Sequence, residues 1–170
     1  MATTMIRNER PGDRERIRSV HLTAFDTRAE ADLVDALREQ ADPVVSLVAE
    51  EGGDIVGHIM FSPATMATQP VLRIMGLAPV AVLPRCQRRG VGSALIREGL
   101  GRCRALGFGA VIVLGHAGFY PRFGFAPASR WDIHSEYDVP DDVFMALELT
   151  DGSLAGSSGL VKYHSAFANL

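Results

Sequence analysis

Apolar positions along the chain change their spacing several times, and each change marks a boundary between elements. A short strand is predicted around Met5. After Pro11-Gly12-Asp13, the residues Ile17, Val20, Ala24 and Phe25 recur at helical spacing, with His21 on the same stripe. A second helix is predicted over Glu30–Gln40, carrying Leu33, Val34 and Leu37 inward. The runs V-V-S-L-V-A-E and I-V-G-H-I-M-F then flank Glu51-Gly52-Gly53-Asp54, a polar, glycine-bearing turn between β-branched segments, which signals an antiparallel hairpin. A third apolar run extends from Ile74 to Leu83 and is interrupted by Pro79. Proline cannot donate to a sheet ladder, so this strand lies at an edge or is bulged there.

From Gly92 to Leu106 the spacing returns to helical: Leu95, Ile96, Gly99, Cys103 and Leu106 share one face, while Arg97 and Arg104 point away. The following A-V-I-V-L, residues 110–114, shows no alternation, as expected of a strand buried on both sides and parallel to its neighbour. Strand, helix and strand then form a right-handed crossover. Beyond it we expect a short helix near Ala117–Phe123, a loop rich in Asp, Trp and Tyr, and a strand V-F-M-A-L-E-L at 143–149. A loop D-G-S-L-A-G-S-S-G and a last short strand in L-V-K-Y-H complete the pattern. With no internal repeat or low-complexity tail, residues 1–170 read as one domain of α/β (α+β) class.

Composition narrows the function classes. At 170 residues, 47% hydrophobic and 22% charged, the chain can bury a core without staples. A net charge of -3 and a pI near 5.9 leave no basic excess to neutralise phosphates, so a general nucleic-acid partner is not expected. Cys86 and Cys103 lack metal-ligand spacing, no metal constellation is visible, and reduced thiols are the simpler reading. The opening M-A-T-T-M-I-R-N-E-R has no apolar signal core, and no stretch is long enough to span a bilayer. The expectation is a soluble, cytoplasmic protein without a membrane partner.

The densest chemistry lies in Q-R-R-G-V-G, residues 87–92, where a strand gives way to a helix. A helix start presents unpaired N–H groups and the positive end of the helix dipole, and so attracts anions. Gly90 and Gly92 remove side chains that would block close approach, and Arg88 and Arg89 add charge. The motif lacks the Gly-Lys-Ser/Thr ending of a triphosphate loop, and Leu95 stands where a dinucleotide fingerprint has its third glycine. A pyrophosphate cradle and a ligand-free basic cap both fit this spacing.

Q-R-R-G-V-G resembles the Q/R-x-x-G-x-G/A signature of the GNAT superfamily of N-acetyltransferases. The preceding V-A-V, the later A-V-I-V-L, and F-Y-P-R-F-G-F stand where that superfamily has its cofactor strand, its next strand and its Tyr-x-x-x-Gly-Phe element. L-G-H-A-G-F-Y-P-R-F-G-F and V-K-Y-H-S-A-F further resemble a bacterial single-domain branch of N-acetyltransferases. The resemblance implies a mixed sheet of about six or seven strands, splayed at a cofactor cleft and flanked by about four helices. Acetyl-CoA would lie in that cleft. Backbone groups of Val80, Ala81 and Val82 would meet its pantetheine arm and acetyl carbonyl. The segment Gln87, Arg88, Arg89, Gly90, Val91, Gly92 and Ser93 would hold the pyrophosphate. A bulge at Pro79 would free strand N–H groups for the ligand.

Acyl transfer from a thioester needs a neutral amine, donors to the developing oxyanion, and a proton for the departing thiolate; backbone N–H near Val82 could supply the second. Tyr120 resembles the superfamily's tyrosine at the leaving sulfur. Its ordinary pKa of about 10 exceeds a thiol's of about 8.5, so it is a hydrogen-bond donor first and a full acid second. Plain packing among Phe119, Phe123 and Phe125 is the other reading. An amine of pKa near 10 is about one part in a thousand neutral at pH 7, so some group or water must accept its proton. Many superfamily members use a strand glutamate, and G-L-A-P-V-A-V has none. Glu30 could face the acceptor cleft or simply complement its helix dipole. His116 could accept a proton, cap the short helix or contact the cofactor. His21 and His58 are expected to be packed or hydrogen-bonded in place. Cys86 lies near the cradle without an activating neighbour. W-D-I-H-S-E-Y-D-V-P-D-D could steer a cationic amine or be a solvated loop. The expected activity is direct acetyl transfer to a primary amine of a small molecule. The alternatives are a non-catalytic acyl-CoA sensor and an enzyme acting on protein N-termini or lysines. A homodimer is an open partner.

Overall fold

The alternating pattern at the amino terminus does become an edge strand. In the computed structural model, which describes residues 3–169, β1 (Thr4–Asn8) pairs antiparallel with β2 (Val45–Glu51). β2 turns at Gly52-Gly53, both with φ near the left-handed region, into β3 (Asp54–Met66), which completes the predicted hairpin. β3 pairs antiparallel with β4 (Ile74–Val82), and β4 runs parallel to β5 (Ala110–Leu114) across the helix α3 (Val91–Ala105). The antiparallel β8 (Phe144–Glu148) and the two-residue β6 (Ala126–Pro127) complete the order β1-β2-β3-β4-β5-β8-β6. The far end of β3 also pairs with β9 (Gly159–Lys162), which carries β7 (Ile133–Ser135) alongside it.

Among the described residues nine strands thus stand where six or seven were expected. The additions are β6 and β7, too short for a period to register in the sequence. The same residues hold three α-helices where about four were expected. The segment near Ala117–Phe123 forms only a 3-10 turn over Tyr120–Phe123, because Pro121 supplies no N–H and Gly124 leaves the helix with φ 101. No described helix is long and apolar enough to cross a membrane.

The helices α1 (Arg14–Ala24) and α2 (Ala29–Gln40) cover one face of the sheet, with Ile17, Leu37, Met60 and Ile74 buried between. Phe25 lies just beyond α1 in extended backbone yet still packs inward, its ring 6.0 Å from that of His21. α3 covers the other face over Leu47, Ile59, Phe61 and Leu95. Gly99 sets how closely α3 lies on the sheet, since a Cβ there would collide with the Phe61 ring. Burying each such large side chain stabilises the fold by about 2 kcal/mol.

The site depends on one irregularity. β4 and β5 pair only from Ile74/Ala110 to Gly76/Ile112 and then part. On the other edge of β4, Leu77 to Val80 takes three steps while Phe61 to Ile59 of β3 takes two. An extra residue is therefore bulged at Ala78-Pro79, as the proline foretold.

Candidate active site

The entrance of α3 is built from backbone. Gly90 is its N-cap with φ 85, and Arg88 also has positive φ, 63, so the chain coils tightly before the helix begins. The first helical bond is Ala94 N–H to Gly90 C=O at 3.0 Å, which leaves the amides of Val91, Gly92 and Ser93 without helical acceptors. The Gln87 side chain donates to the Val82 carbonyl at 2.9 Å and ties this coil to the end of β4. A hollow of about 400 Å³ opens here, and Gln87, Arg88, Gly90, Val91, Gly92 and Ser93 all line it, together with Val82. A Cβ at Gly90 would meet no protein atom within 4 Å, and one at Gly92 only Val82 Cγ2 at 3.7 Å. The two glycines therefore keep open space rather than admit a packed neighbour, which suits a diphosphate.

Three features of this cradle differ from the reading of the sequence. The Arg89 side chain turns to Glu51 of β2, at 2.9 Å, leaving its amide in the coil but not its charge at the mouth. The Thr4 hydroxyl and then Arg89 hold the Glu51 carboxyl below its usual range. Phe119 and Arg122 close the opposite wall, and sequence reasoning missed both. Arg122 donates to the Phe119 carbonyl at 3.0 Å, with its guanidinium carbon 4.6 Å from the Phe119 ring centre. Its only signal was its place two residues after Tyr120. Cys86 also lines the hollow but is fully buried, with Arg85 Nη1 at 3.5 Å.

Past the bulge, Val80, Ala81 and Val82 pair with β3 on one edge and with no described strand on the other. In a pleated strand alternate N–H and C=O groups point to each edge, so some of them face the gap. Tyr120, 7% exposed, packs its ring against Gly115 just past β5, the strand on the far side of this gap, where a Cβ would collide with it. Its edge contacts are with Phe119, 5.2 Å, and Phe125, 5.7 Å between centres. Burial pushes its phenol above the ordinary value, so it stays protonated at neutral pH. The ring is packed as core and the hydroxyl is a donor; the two readings of Tyr120 are compatible.

On the α1–α2 side the gap opens into a second hollow of about 400 Å³, walled by Leu77, Ala78, Leu114, Tyr137, Tyr163 and Phe167. Burial first, then Tyr120, Tyr137 and Glu136, raise the Tyr163 phenol far above its usual range, which places these groups within electrostatic reach of one another. A further hollow, about 790 Å³, lies instead at the beginning of β4, between Met66, Leu72, Ile74 and Phe108, remote from the α3 entrance.

A family model described as Acetyltransferase (GNAT) domain matches residues 5–128. The chain belongs to the GNAT acetyltransferases. It is 35% identical over 164 residues to the uncharacterized N-acetyltransferase YhbS of Escherichia coli (strain K12), covering 96% of this chain and 98% of that one. To YjhQ of the same organism it is 43% identical over 136 residues, 76% and 74% of the two chains. A crystal structure of Escherichia coli YhbS in complex with CoA superposes with TM-score 0.92 at 33% identity, covering 99% of this chain and 93% of that one. A GNAT family acetyltransferase from Brucella melitensis, in complex with acetyl-CoA, does so at 0.80 and 38%, covering 97% and 98%.

In this acetyltransferase the two candidate proton acceptors are placed differently. Glu30 lies in the first turn of α2, and its Oε2 is buried with no hydrogen-bond partner among the described residues. α2 packs on the carboxy-terminal 3-10 turn (Ser165–Asn169) that carries Phe167. His116 is exposed beyond β5, where its carbonyl accepts the amides of Phe119, 3.0 Å, and Tyr120, 3.4 Å. Its backbone thus serves the capping role. Neither residue lines either of the two hollows.

His21 and His58 are hydrogen-bonded in place, and the bonds fix their tautomers. Arg38 holds Glu9 at 2.7 Å, so Glu9 is an acceptor for the Ser46 hydroxyl, 2.7 Å. Ser46 Oγ must then accept from His58 Nε2, 2.8 Å, and His58 Nδ1 must accept from His21 Nε2, 2.8 Å. His21 Nδ1 is left as a buried, unprotonated nitrogen without a partner. Burial holds both rings neutral, His21 at about 4 and His58 well below its usual value, with Arg38 adding to the effect in each.

Proposed function

We propose that the protein is an acetyl-CoA-dependent N-acetyltransferase that transfers the acetyl group to a primary amine of a small molecule, directly, in a ternary complex. The observation that carries this is the parting of β4 and β5 beyond Gly76/Ile112, with a backbone cradle at the end of β4 and a second hollow lined by Leu77 and Ala78 of β4 and Leu114 of β5. The residues present fit acetyl-CoA, and two similar proteins have been crystallised with CoA or acetyl-CoA. Bound there, it supplies an activated acetyl thioester.

The amides of Gln87–Ser93 hold the diphosphate, aided by Arg88 and Arg122. Free N–H groups of Val80–Val82 orient the acyl carbonyl and stabilise charge on its oxygen. Tyr120 donates its proton toward the leaving sulfur; its raised pKa makes the hydrogen bond, rather than full transfer, its main contribution. Glu30, with its unpartnered oxygen, and His116 are the two candidate proton acceptors for the amine; since neither lines a hollow, either would act through an intervening water. Direct transfer is supported by the burial of both thiols, with Cys103 pushed up to about 12 by desolvation and therefore inert. Two free cysteines also fit a reducing, cytoplasmic setting.

The test is acetyl-CoA-dependent thiol release over an amine panel. Intersecting initial-velocity lines are expected, and parallel lines would overturn direct transfer. The lack of a strand glutamate in Gly76–Val82 favours the second reading, an acyl-CoA sensor. A sensor would bind CoA yet release no thiol above the hydrolytic background.

A further inference from the structure

We infer that the acetyl acceptor is a monoamine with an apolar, ring-bearing body, seated in the hollow walled by Tyr137, Tyr163 and Phe167. This rests on the acetyltransferase reading and specifies its acceptor. The hollow begins where Leu77 and Ala78 of β4 part from Leu114 of β5, so an amine within it faces the gap that Tyr120 borders.

Two segments distant in sequence, the loop carrying Tyr137 and the carboxy-terminal stretch 163–167, bring aromatic rings to that place. The ring centres of Tyr163 and Phe167 lie 4.8 Å apart, and those of Tyr137 and Tyr163 lie 6.4 Å apart. Tyr163 rests on the backbone of Gly76, where a Cβ would come within 2.7 Å of its ring. The Tyr163 amide donates to Glu136 Oε2 at 3.1 Å, tying the Tyr137 loop to the carboxy-terminal segment. Tyr163 is only 8% exposed, so its ring is a fixed wall of the hollow. Of seven large hydrophobic residues well exposed to solvent, two, Leu114 and Tyr137, face this one hollow, each 40% exposed. Their cover has to come from an apolar surface.

Charge separates the classes of amine. No ionised side chain lines the hollow. Glu136, Asp138, Asp141 and Asp142, none of them in an ion pair among the described residues, lie on the segment that carries Tyr137 and Val139. Lys162 and His164 open onto a neighbouring depression that Glu136 and Tyr163 also line. One ammonium is thus attracted by the acidic segment and accepted by ring faces. A second ammonium, as in a diamine, or the hydroxyls of an aminosugar would be desolvated against carbon without a partner.

The test uses the whole protein saturated with CoA. Calorimetry is expected to show saturable binding of 2-phenylethylamine at least tenfold tighter than 1,4-diaminobutane, with kcat/KM in the same order when acetyl-CoA is supplied. Tyr137→Ala alters an exposed side chain, so folding is spared; it should raise KM for 2-phenylethylamine at least fivefold and leave CoA affinity unchanged. Equal affinity for the two amines, no saturable binding of 2-phenylethylamine, or an unchanged KM in Tyr137→Ala would overturn the inference. So would hexanoyl-CoA outperforming acetyl-CoA in a manner lost in Tyr137→Ala, since the hollow would then house the acyl chain. Failure of CoA itself to bind would instead remove the acetyltransferase reading.

Discussion

The two hollows beside β4 are alike in size and opposite in construction. The one at the α3 entrance is built largely on the short stretch Gln87–Ser93, with Phe119 and Arg122 opposite, and it presents backbone amides without helical acceptors. The one on the α1–α2 side is made of side chains from β4, β5, the 136–143 loop and the carboxy-terminal turn. A cofactor common to a family can be gripped by backbone, which any side-chain drift spares. An acceptor particular to one member needs side chains, which can change without disturbing the cradle.

Tyr120→Phe removes the proposed donor to the leaving sulfur and should have the largest effect, at least a tenfold loss of turnover with cofactor affinity little changed. Equal rates in thiol release would remove Tyr120 from the chemistry and leave its ring as packing alone. Gly90→Val comes next. The residue sits at φ 85 in open space, so a β-branched side chain strains the cap and intrudes into the cradle. CoA affinity should fall about tenfold or more, and undiminished affinity by calorimetry would break the idea that this hollow is the anion site.

Acidification separates the faces of the sheet. His21 titrates near 4 when folded against about 6.5 when unfolded, and His58 is shifted the same way. Above pH 6.5 both states are neutral and stability is unaffected. As pH falls toward 4 the unfolded chain binds protons that the folded one refuses, so stability drops, by about 3 kcal/mol for His21 alone. Denaturant unfolding of His21→Gln should show a flatter dependence over that window, and an unchanged slope would exclude the buried pair as its cause. Smallest is Arg89→Gln, expected to alter CoA affinity less than about threefold, because Glu51 already engages that guanidinium. A tenfold loss would return Arg89 to the cradle.

How much of this was legible follows the same division. The hairpin at Gly52-Gly53, the strand 110–114, buried through Val113, the helix after Gly90 and the bulge at Pro79 each follow from period, turn chemistry or a missing N–H. The histidines were expected to be packed or hydrogen-bonded in place, and they are, but that they bond each other needed α1 to lie on β3. β7, three residues long, stood in a stretch read as loop, since so short a strand takes its stability from β9 beside it.

Residues close along the chain therefore set the α3 entrance by themselves: positive φ, an absent Cβ and unpaired amides are local properties that no distant contact has to supply. Which side chains would confront the gap from its other side was decided only when Leu114, Tyr137, Tyr163 and Phe167, scattered over nearly a third of the sequence, were folded onto one strand edge. Spacing carries no information about such a meeting, because it is enforced by burial and sheet register across the whole molecule.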